Sequence, residues 1–492
     1  MDHGPDRCLG LKLRTCRDLL CERSARVEIT PSVEWENIGL PLSTTSNEAA
    51  KMYDAIVTQY MSGFSDDSVD GIGGAIKKMT DADPNFVMGP IISNGLTLFS
   101  MATSTWNNPE LKSNIEKMVQ SADNDTLTWR EKLHIKAIKL FSEGDFTGAS
   151  DTFEEILLQH PTDALAFRFA LDCYFYRGEM AQYRDCAARV MPYWKSGKVS
   201  QSMYGYLKSL YAFGLEETNF FDEAEKESLQ SLELNSRDGW ATHTIAHVME
   251  MQCRYDEGIR YLNDTAHNGQ KHFFEGHIYW HLGLYYIEKG DYEAALSLYD
   301  EYVGSKVDSG VMLDISDAAS FLQRLEYEGV NVGPRWMKVF NFSKTHVDDQ
   351  ALVFNDLHFM MAALGAKQQR IANELFESIR NFVRSSSSDH TVAKTFEEVG
   401  IPICESLNAY HCGDFAKVVN TYNPVRYNTR QITGSDAQRD VFNLLLIHSA
   451  LKSPEMDHKL LARSLLYERD AFKPGSPMTA RLLEKATAES PE

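Results

Sequence analysis

The chain is 492 residues long, which exceeds the usual size of one compact core, so it should fold as several domains or as an array of repeats. With 43% hydrophobic and 24% charged residues, its composition is typical of a globular protein and not of a disordered or fibrous one. A formal net charge of −21 repels phosphate backbones and anionic lipid surfaces, so we expect neither nucleic acid nor a membrane as a partner.

The N-terminal segment, residues 1–34, mixes arginine with aspartate and glutamate and contains no apolar run. It therefore has the features of neither a secretory signal nor a transit peptide, and we expect a flexible extension before a helical region at 35–129. The eight cysteines include no C-x-x-C pair, which argues against a disulfide framework or a zinc ribbon. Because no window of 18 uninterrupted apolar residues occurs, the sequence predicts a cytoplasmic protein.

A clear repeat unit occupies residues 276–309, GHIYWHLGLYYIEKGDYEAALSLYDEYVGSKVDS. It resembles a tetratricopeptide repeat, in which two antiparallel helices pack through small residues and are joined by a glycine turn. Gly283 and Ala295 are the small residues that let the helix axes approach, and Gly290 can adopt the left-handed conformation of the turn. Tyr292 fills the remaining space beside that turn.

Further copies of this frame precede it in the chain. The match at 130–161 is strong, and weaker copies follow at 164–197, 205–238 and 239–272. Residues 130–309 are therefore predicted to form tetratricopeptide repeats.

The period fades after residue 310, but helical periodicity persists over 310–485, and 486–492 is predicted to be a tail. No alternation typical of strands with hairpin turns occurs. The sequence thus predicts an all-α protein, a solenoid of tetratricopeptide-type helical hairpins closed by atypical N- and C-terminal helices.

Several stretches are similar to the tetratricopeptide repeat protein 38 family, over about residues 35 to 485. They include LPLSTTSNEAAKMYDAIVTQY, ADPNFVMG, AFGLEETNFFDEAE, FNDLHFMMAALGA and SDAQRDVFNLLLIHSAL. The sequence departs from that family at Thr433 before Gly434, where the family pattern has two glycines. The resemblance implies a cytoplasmic repeat protein and assigns no activity.

A set of aromatic and ionisable residues falls where such solenoids line their concave groove. In the repeat that starts at Gly239 and the repeat that starts at Gly276, these residues are Trp240, His243, His247, Glu250, His277, Trp280 and His281. Asp356 and His358 could reach the same groove from a later repeat.

One interpretation of these histidines is a metal site, because His243 and His247 lie one helical turn apart. Glu250 or His281 could complete the ligand set. The zinc-protease motif needs a glutamate directly after its first histidine, and Thr244 stands there, so peptide hydrolysis by that mechanism is disfavoured. The sequence predicts no cofactor, although a transition metal is possible at this cluster.

A second interpretation is a binding groove, since histidine, tryptophan and glutamate offer hydrogen bonds and flat stacking surfaces. A third is that the histidines only bridge adjacent helices, as satisfied buried polar groups do. The sequence favours an interaction module that binds a peptide or a small polar ligand, and the alternative is an enzyme, with or without a metal, that uses the histidine cluster. It does not determine the oligomeric state.

Overall fold

The computed structural model describes residues 32–266 and 272–488, and helices dominate this part of the chain. The predicted extension at 1–34 lies almost entirely outside the described residues, as does the end of the predicted tail. The helices before the first repeat are α1 (Ser32–Asn37), α2 (Asn47–Ser62), α3 (Gly71–Ala82), α4 (Met88–Phe99) and α5 (Pro109–Gln120).

The repeat region consists of successive helical hairpins on either side of residues 267–271, which lie outside the described part of the chain. Their helices are α6 (Trp129–Ser142), α7 (Phe146–Gln159), α8 (Ala164–Tyr176), α9 (Met180–Tyr193), α10 (Gln201–Glu216), α11 (Phe221–Leu234), α12 (Gly239–Met251), α13 (Tyr255–Thr265), α14 (Glu275–Lys289) and α15 (Tyr292–Leu298).

Helical pairs continue to the end of the described chain. They comprise α16 (Met312–Tyr327), α17 (Arg335–Ser343), α18 (Val353–Gly365), α19 (Gln369–Ser385), α20 (Thr391–Thr395), α21 (Ile401–His411), α22 (Phe415–Tyr422), α23 (Asp436–Lys452), α24 (Met456–Phe472) and α25 (Pro477–Ala488). Among the described residues there is no strand, only an isolated bridge between Phe64 and His272. The predicted all-α solenoid of helical hairpins is confirmed.

Local sequence explains where the two helices that matter most for the site begin and end. Asp238 caps α12, because its carboxylate accepts the backbone N–H groups of Trp240 and Ala241. Gly290 ends α14 with a φ of 79°, the left-handed conformation that glycine adopts at low cost. A Cβ on Gly283 would lie 2.2 Å from the ring of Phe321, so only glycine allows α14 and α16 to pack this closely.

The inner helices of successive pairs pack side by side, and the chain closes around the interior that they face. α16 and α23 are in contact across this interior, and α23 also contacts α12. Arg324 of α16 donates a hydrogen bond to the carbonyl of Ala437 in α23 (2.6 Å). The N-terminal and C-terminal halves of the described chain also meet, since the side chain of Asn355 donates to the carbonyl of Met101 and the N–H of Thr391 donates to that of Gly144.

The open concave groove expected from the sequence is therefore largely covered by the protein's own helices. α2 packs against α8 and α10 on one side, and α23 occupies the other. The cause is the composition of α23, whose residues are buried on most of its faces and require partners on all of them. No described helix is long and apolar enough to cross a membrane.

Candidate metal centre

Four histidines from two neighbouring inner helices meet at one point inside the protein. α12 places His243 and His247 one turn apart, and α14 places His277 and His281 one turn apart. Each of the four side chains is at most 3% exposed. Two H-x-x-x-H pairs on adjacent helices thus bring four imidazoles together out of contact with solvent.

The four rings converge closely enough to share one ion. One ring nitrogen from each histidine lies within 4.8 Å of the others. The Nε2 atoms of His243 and His247 are 3.0 Å apart. Two nitrogens bound tetrahedrally to one zinc ion at about 2.0–2.1 Å would lie about 3.3–3.4 Å apart, so a small adjustment would give ligand spacing.

Carboxylates stand behind three of these rings. Oδ2 of Asp317 lies 2.7 Å from Nδ1 of His277, and Oε2 of Glu250 lies 3.2 Å from Nδ1 of His281. Oε2 of Glu216 lies 3.6 Å from Nδ1 of His247. Asp317 and Glu250 are therefore within hydrogen-bonding distance of an Nδ1 atom, whereas Glu216 makes a longer contact with His247.

A carboxylate that accepts the Nδ1–H bond fixes the tautomer and leaves the Nε2 lone pair free. The Nε2 atom of His281 is buried and has no hydrogen-bond partner in the structure. Histidines that bind a metal through Nε2 usually have such an acceptor behind Nδ1. The arrangement is the one that a metal-binding imidazole requires.

The electrostatics of the cluster keep the imidazoles neutral. Burial, reinforced by the neighbouring imidazoles, lowers the pKa of His243, His247 and His281 well below its ordinary value. Neutral imidazole is the form that binds a metal ion. Protons therefore compete weakly for these nitrogens.

Negative charge is available to balance a cation held at this point. Glu250 is shared between His281 and Lys473, whose Nζ lies 3.2 Å from Oε1 of Glu250. Burial raises the pKa of Glu216 well above its ordinary value, with Glu217 adding to the effect. A cation on the histidines would oppose that shift and favour the ionised carboxylate.

The structure places the sequence-predicted residues in different roles. His277 joins the converging group, whereas Glu250, a predicted ligand, lies behind His281 and contacts its Nδ1. Trp280 stacks on His277 with ring centroids 5.0 Å apart and donates to Ser320. Trp240 donates to the carbonyl of Met61 and so ties α12 to α2.

Asp356 and His358, which the sequence placed in the same groove, do not join the converging group. Nδ1 of His358 lies 2.7 Å from the carbonyl oxygen of Phe354, one turn earlier in the same helix. Asp356 accepts a hydrogen bond from Gln350. Both belong to the packing of α18 against its neighbours.

Sequence reasoning did not find Asp317 and Glu216. They belong to α16 and α10, on either side of the two histidine helices. Asp317 follows His277 by 40 residues, which is longer than the 34-residue repeat, so the repeat register does not identify it.

An internal cavity of about 800 Å³ adjoins the cluster, with His243 and His277 in its wall. Most of its other lining residues are apolar, and they come from the N-terminal helices, the repeats and the start of α23. The aromatic ones are Tyr60, Phe64, Phe99, Phe175, Tyr176, Tyr183, Phe213, Trp240, Phe273, Phe274 and Phe354. The metal candidate therefore borders a space large enough for a small molecule.

No protein-family model matches the chain. Among solved structures, it is similar to the human IFIT1 dimer with m7Gppp-AAAA, at 13% sequence identity and a TM-score of 0.31. The alignment covers 79% of this chain and 98% of that one. A likeness of this size carries no information on the function of the chain.

Proposed function

We propose that this protein binds a transition metal ion through His243, His247, His277 and His281 and that it acts as a metal-dependent enzyme on a molecule held in the adjoining cavity. The observation that supports this most is the convergence of the four ring nitrogens within 4.8 Å, out of contact with solvent. Buried imidazoles that only fill a core can hydrogen-bond in pairs, as His243 and His247 do, but such pairing does not require one nitrogen from each of four rings to lie within 4.8 Å of the others.

The donor set limits the choice of ion. Imidazole suits zinc, copper, iron and nickel, and the absence of carboxylate donors from the converging set disfavours magnesium and calcium. An ion that accepts five or six ligands would keep a position open for a small molecule, as catalytic sites require. When bound, such an ion supplies Lewis acidity or redox chemistry beside the cavity.

The binding function expected from the sequence is retained in a narrower form. A concave groove that holds an extended peptide is not supported, because His247, Trp280 and His281 are fully buried. A small ligand in the cavity is compatible with the same residues. We also infer membership of the tetratricopeptide repeat protein 38 family from stretches such as LPLSTTSNEA and AQRDVF, and the cytoplasmic location stays a prediction.

The decisive experiment is elemental mass spectrometry of protein purified without a metal-affinity tag. We expect about one equivalent of a transition metal in the wild type and none in His243→Ala/His247→Ala, because each ligand contributes to affinity. The matched control is His358→Ala/His448→Ala, which changes two buried histidines outside the cluster and should keep the metal.

X-ray absorption on the metal-loaded wild type makes the test independent of how the variants fold. The expected spectrum has nitrogen donors at about 2.0–2.1 Å and no sulfur, which is the signature of imidazole ligation. Absence of metal from the wild type, even after incubation with zinc, iron(II), nickel or copper, would overturn the proposal. Loss of metal from the control as well as from the cluster variant would also count against it.

A further inference from the structure

We infer that the cavity beside the histidine cluster binds an uncharged molecule made mainly of hydrocarbon, with one hydroxyl or carbonyl group at the end that faces His243 and His277. This inference names the substrate class of the proposed metal centre and rests on that proposal for its catalytic meaning. The binding itself depends only on the cavity, so the two can be tested separately.

The size of the cavity requires an explanation. Protein interiors are packed about as densely as organic crystals, and voids much larger than a water molecule are few. A space of about 800 Å³ lies within the range of small-molecule sites. Without a ligand, an apolar cavity of this size that opens to solvent leaves the rings of its wall in contact with water. A bound hydrocarbon removes that contact.

The residues that line the cavity favour a ligand made of hydrocarbon. Leu96, Met312 and Leu313 add aliphatic surface to the aromatic rings, and Leu352 continues it on the opposite wall. Transfer of apolar surface from water to such an environment contributes roughly 25 cal/mol per Å² of area buried. A polar molecule would lose hydrogen bonds to water and find few replacements along these walls.

The charges in the lining are already compensated. Arg168 and Asp172 are the charged pair among its described residues, 2.6 Å apart in an ion pair, and the hydroxyl of Tyr60 also donates to Asp172. The guanidinium of Arg168 lies over the rings of Trp240 and Tyr60 at 4.9 and 5.2 Å. A carboxylate or ammonium brought by the ligand would find no unpaired opposite charge there.

A group of polar side chains lines the cavity beside the histidine cluster. His243 and His277 line it, and so does Ser316, whose buried hydroxyl has no hydrogen-bond partner. Ser316 precedes Asp317, the residue that contacts His277. One hydroxyl or carbonyl oxygen of a ligand would meet these groups, and the rest of the molecule would lie along the rings.

The cavity reaches the surface, so a ligand can enter from solvent. Four of its lining residues are exposed: Ser65, Ser100, Phe273 and Val311. Phe273 is 42% exposed and packs on Trp240, with ring centroids 5.2 Å apart. The mouth is thus partly aromatic, which suits passage of an apolar molecule.

The test uses three probes with the same chain and different heads: decan-1-ol, decanoate and decylammonium. Dissociation constants are measured by isothermal titration calorimetry on metal-loaded protein and on protein stripped by chelation. We expect decan-1-ol to bind at least tenfold more tightly than either charged probe. Leu313→Trp, which fills the cavity from α16, should weaken decan-1-ol binding at least tenfold.

Leu229→Trp is the matched control, because Leu229 is half exposed on α11 and is not part of the cavity lining. It should leave the affinity unchanged. Equal affinity for a charged probe, or an unchanged affinity in Leu313→Trp, would overturn the inference. If the protein binds metal but not decan-1-ol, the inferred ligand class is wrong and the proposed metal centre is retained. If it binds decan-1-ol but no metal, the ligand class is retained and the proposed metal centre is wrong.

Discussion

Two groups of buried histidines differ in how their rings are arranged. On α12 and α14, four imidazoles converge and three have a carboxylate near Nδ1. On α18 and α23, His358 packs against Phe354, and His448 stacks on Tyr327 and lies 3.6 Å from a carboxylate oxygen of Glu328. Burial lowers the pKa of His358 to about 4 and that of His448 to about 3. A depressed pKa and a nearby carboxylate are therefore found in both groups, and the convergence of four rings distinguishes the first.

The repeat itself produces this difference. His277 follows His243 by 34 residues, and His281 follows His247 by the same interval, which is one tetratricopeptide unit. Residues at the same repeat position on adjacent inner helices lie side by side. A pair of histidines repeated once becomes a group of four, whereas a histidine with no counterpart in the neighbouring repeat stays alone.

The largest expected effect comes from removing one ring from the converging group. In His277→Gln, bound metal at equal metal concentration should fall more than tenfold, because a ligand and its link to Asp317 are lost together. His448→Gln is the control from the other group. Elemental mass spectrometry gives the stoichiometry of both. Equal amounts of bound metal in the two variants would contradict the proposed difference between the converging and the isolated histidines.

A smaller effect should follow from changing only a carboxylate behind a ring. Asp317→Asn keeps the shape of the side chain and removes the charge that supports His277, and outer partners of this kind typically change metal affinity about 10–100-fold. Competition with a chromophoric chelator measures the affinity. Asp356→Asn, a buried carboxylate beside the isolated histidines, should leave it unchanged. A structural role alone would weaken both variants equally.

Much of the fold was predictable because helical period, turn glycines and small residues are local signals. Gly283 and Gly290 occupy the positions expected of them, and the two histidine pairs fall on inner helices as the repeat frame requires. The closure of the solenoid was not predictable. It depends on where α23 packs, and a helical pattern indicates that a face is buried without saying against which partner.

The candidate site shows the same limit. The spacing of His243 and His247 indicated shared ligation, but the role of Glu250 depends on the 3.2 Å contacts that it makes with His281 and Lys473. Lys473 is more than 200 residues distant in the chain, so no local pattern reveals that Glu250 serves an ion pair as well as an imidazole. The cavity, formed by residues from 59 to 438, has no signature in any single stretch.

The low pKa of His358, one of the isolated histidines, predicts how the free energy of unfolding depends on pH. The pKa of His358 is about 4 in the folded protein and about 6.5 when unfolded, so the unfolded state takes up the proton first as pH falls. The contribution of neutral, buried His358 to the free energy of unfolding is therefore fully present above pH 6.5 and is lost as the pH falls from 6.5 to 4. From pH 7 to 5 the free-energy gap between wild type and His358→Gln should narrow by about 2 kcal/mol.

Urea unfolding of metal-free protein at the two pH values measures this gap. Lys452→Gln serves as the control, because it changes α23 without removing an imidazole. Its difference in free energy of unfolding from wild type should stay the same between pH 7 and pH 5. A constant gap for His358→Gln would mean that the imidazole is protonated, or reached by water, in the folded state. The comparison between a solitary neutral histidine and a metal-binding group would then need revision.

The smallest effect is expected where the chain turns into α23, the helix that fills the interior. Thr433 has φ 74° and ψ −167°, a conformation that is essentially restricted to glycine, and its hydroxyl donates to the carbonyl of Phe175 (2.6 Å). Thr433→Gly loses that hydrogen bond and relieves the strain, so its free energy of unfolding should stay within about 1 kcal/mol of wild type. Thr433→Ala loses the bond and keeps the strain, so it should be the less stable variant. Equal stability of the two would show that the backbone at this turn carries no strain, and the hydroxyl alone would then explain why threonine stands where the resembling family has glycine.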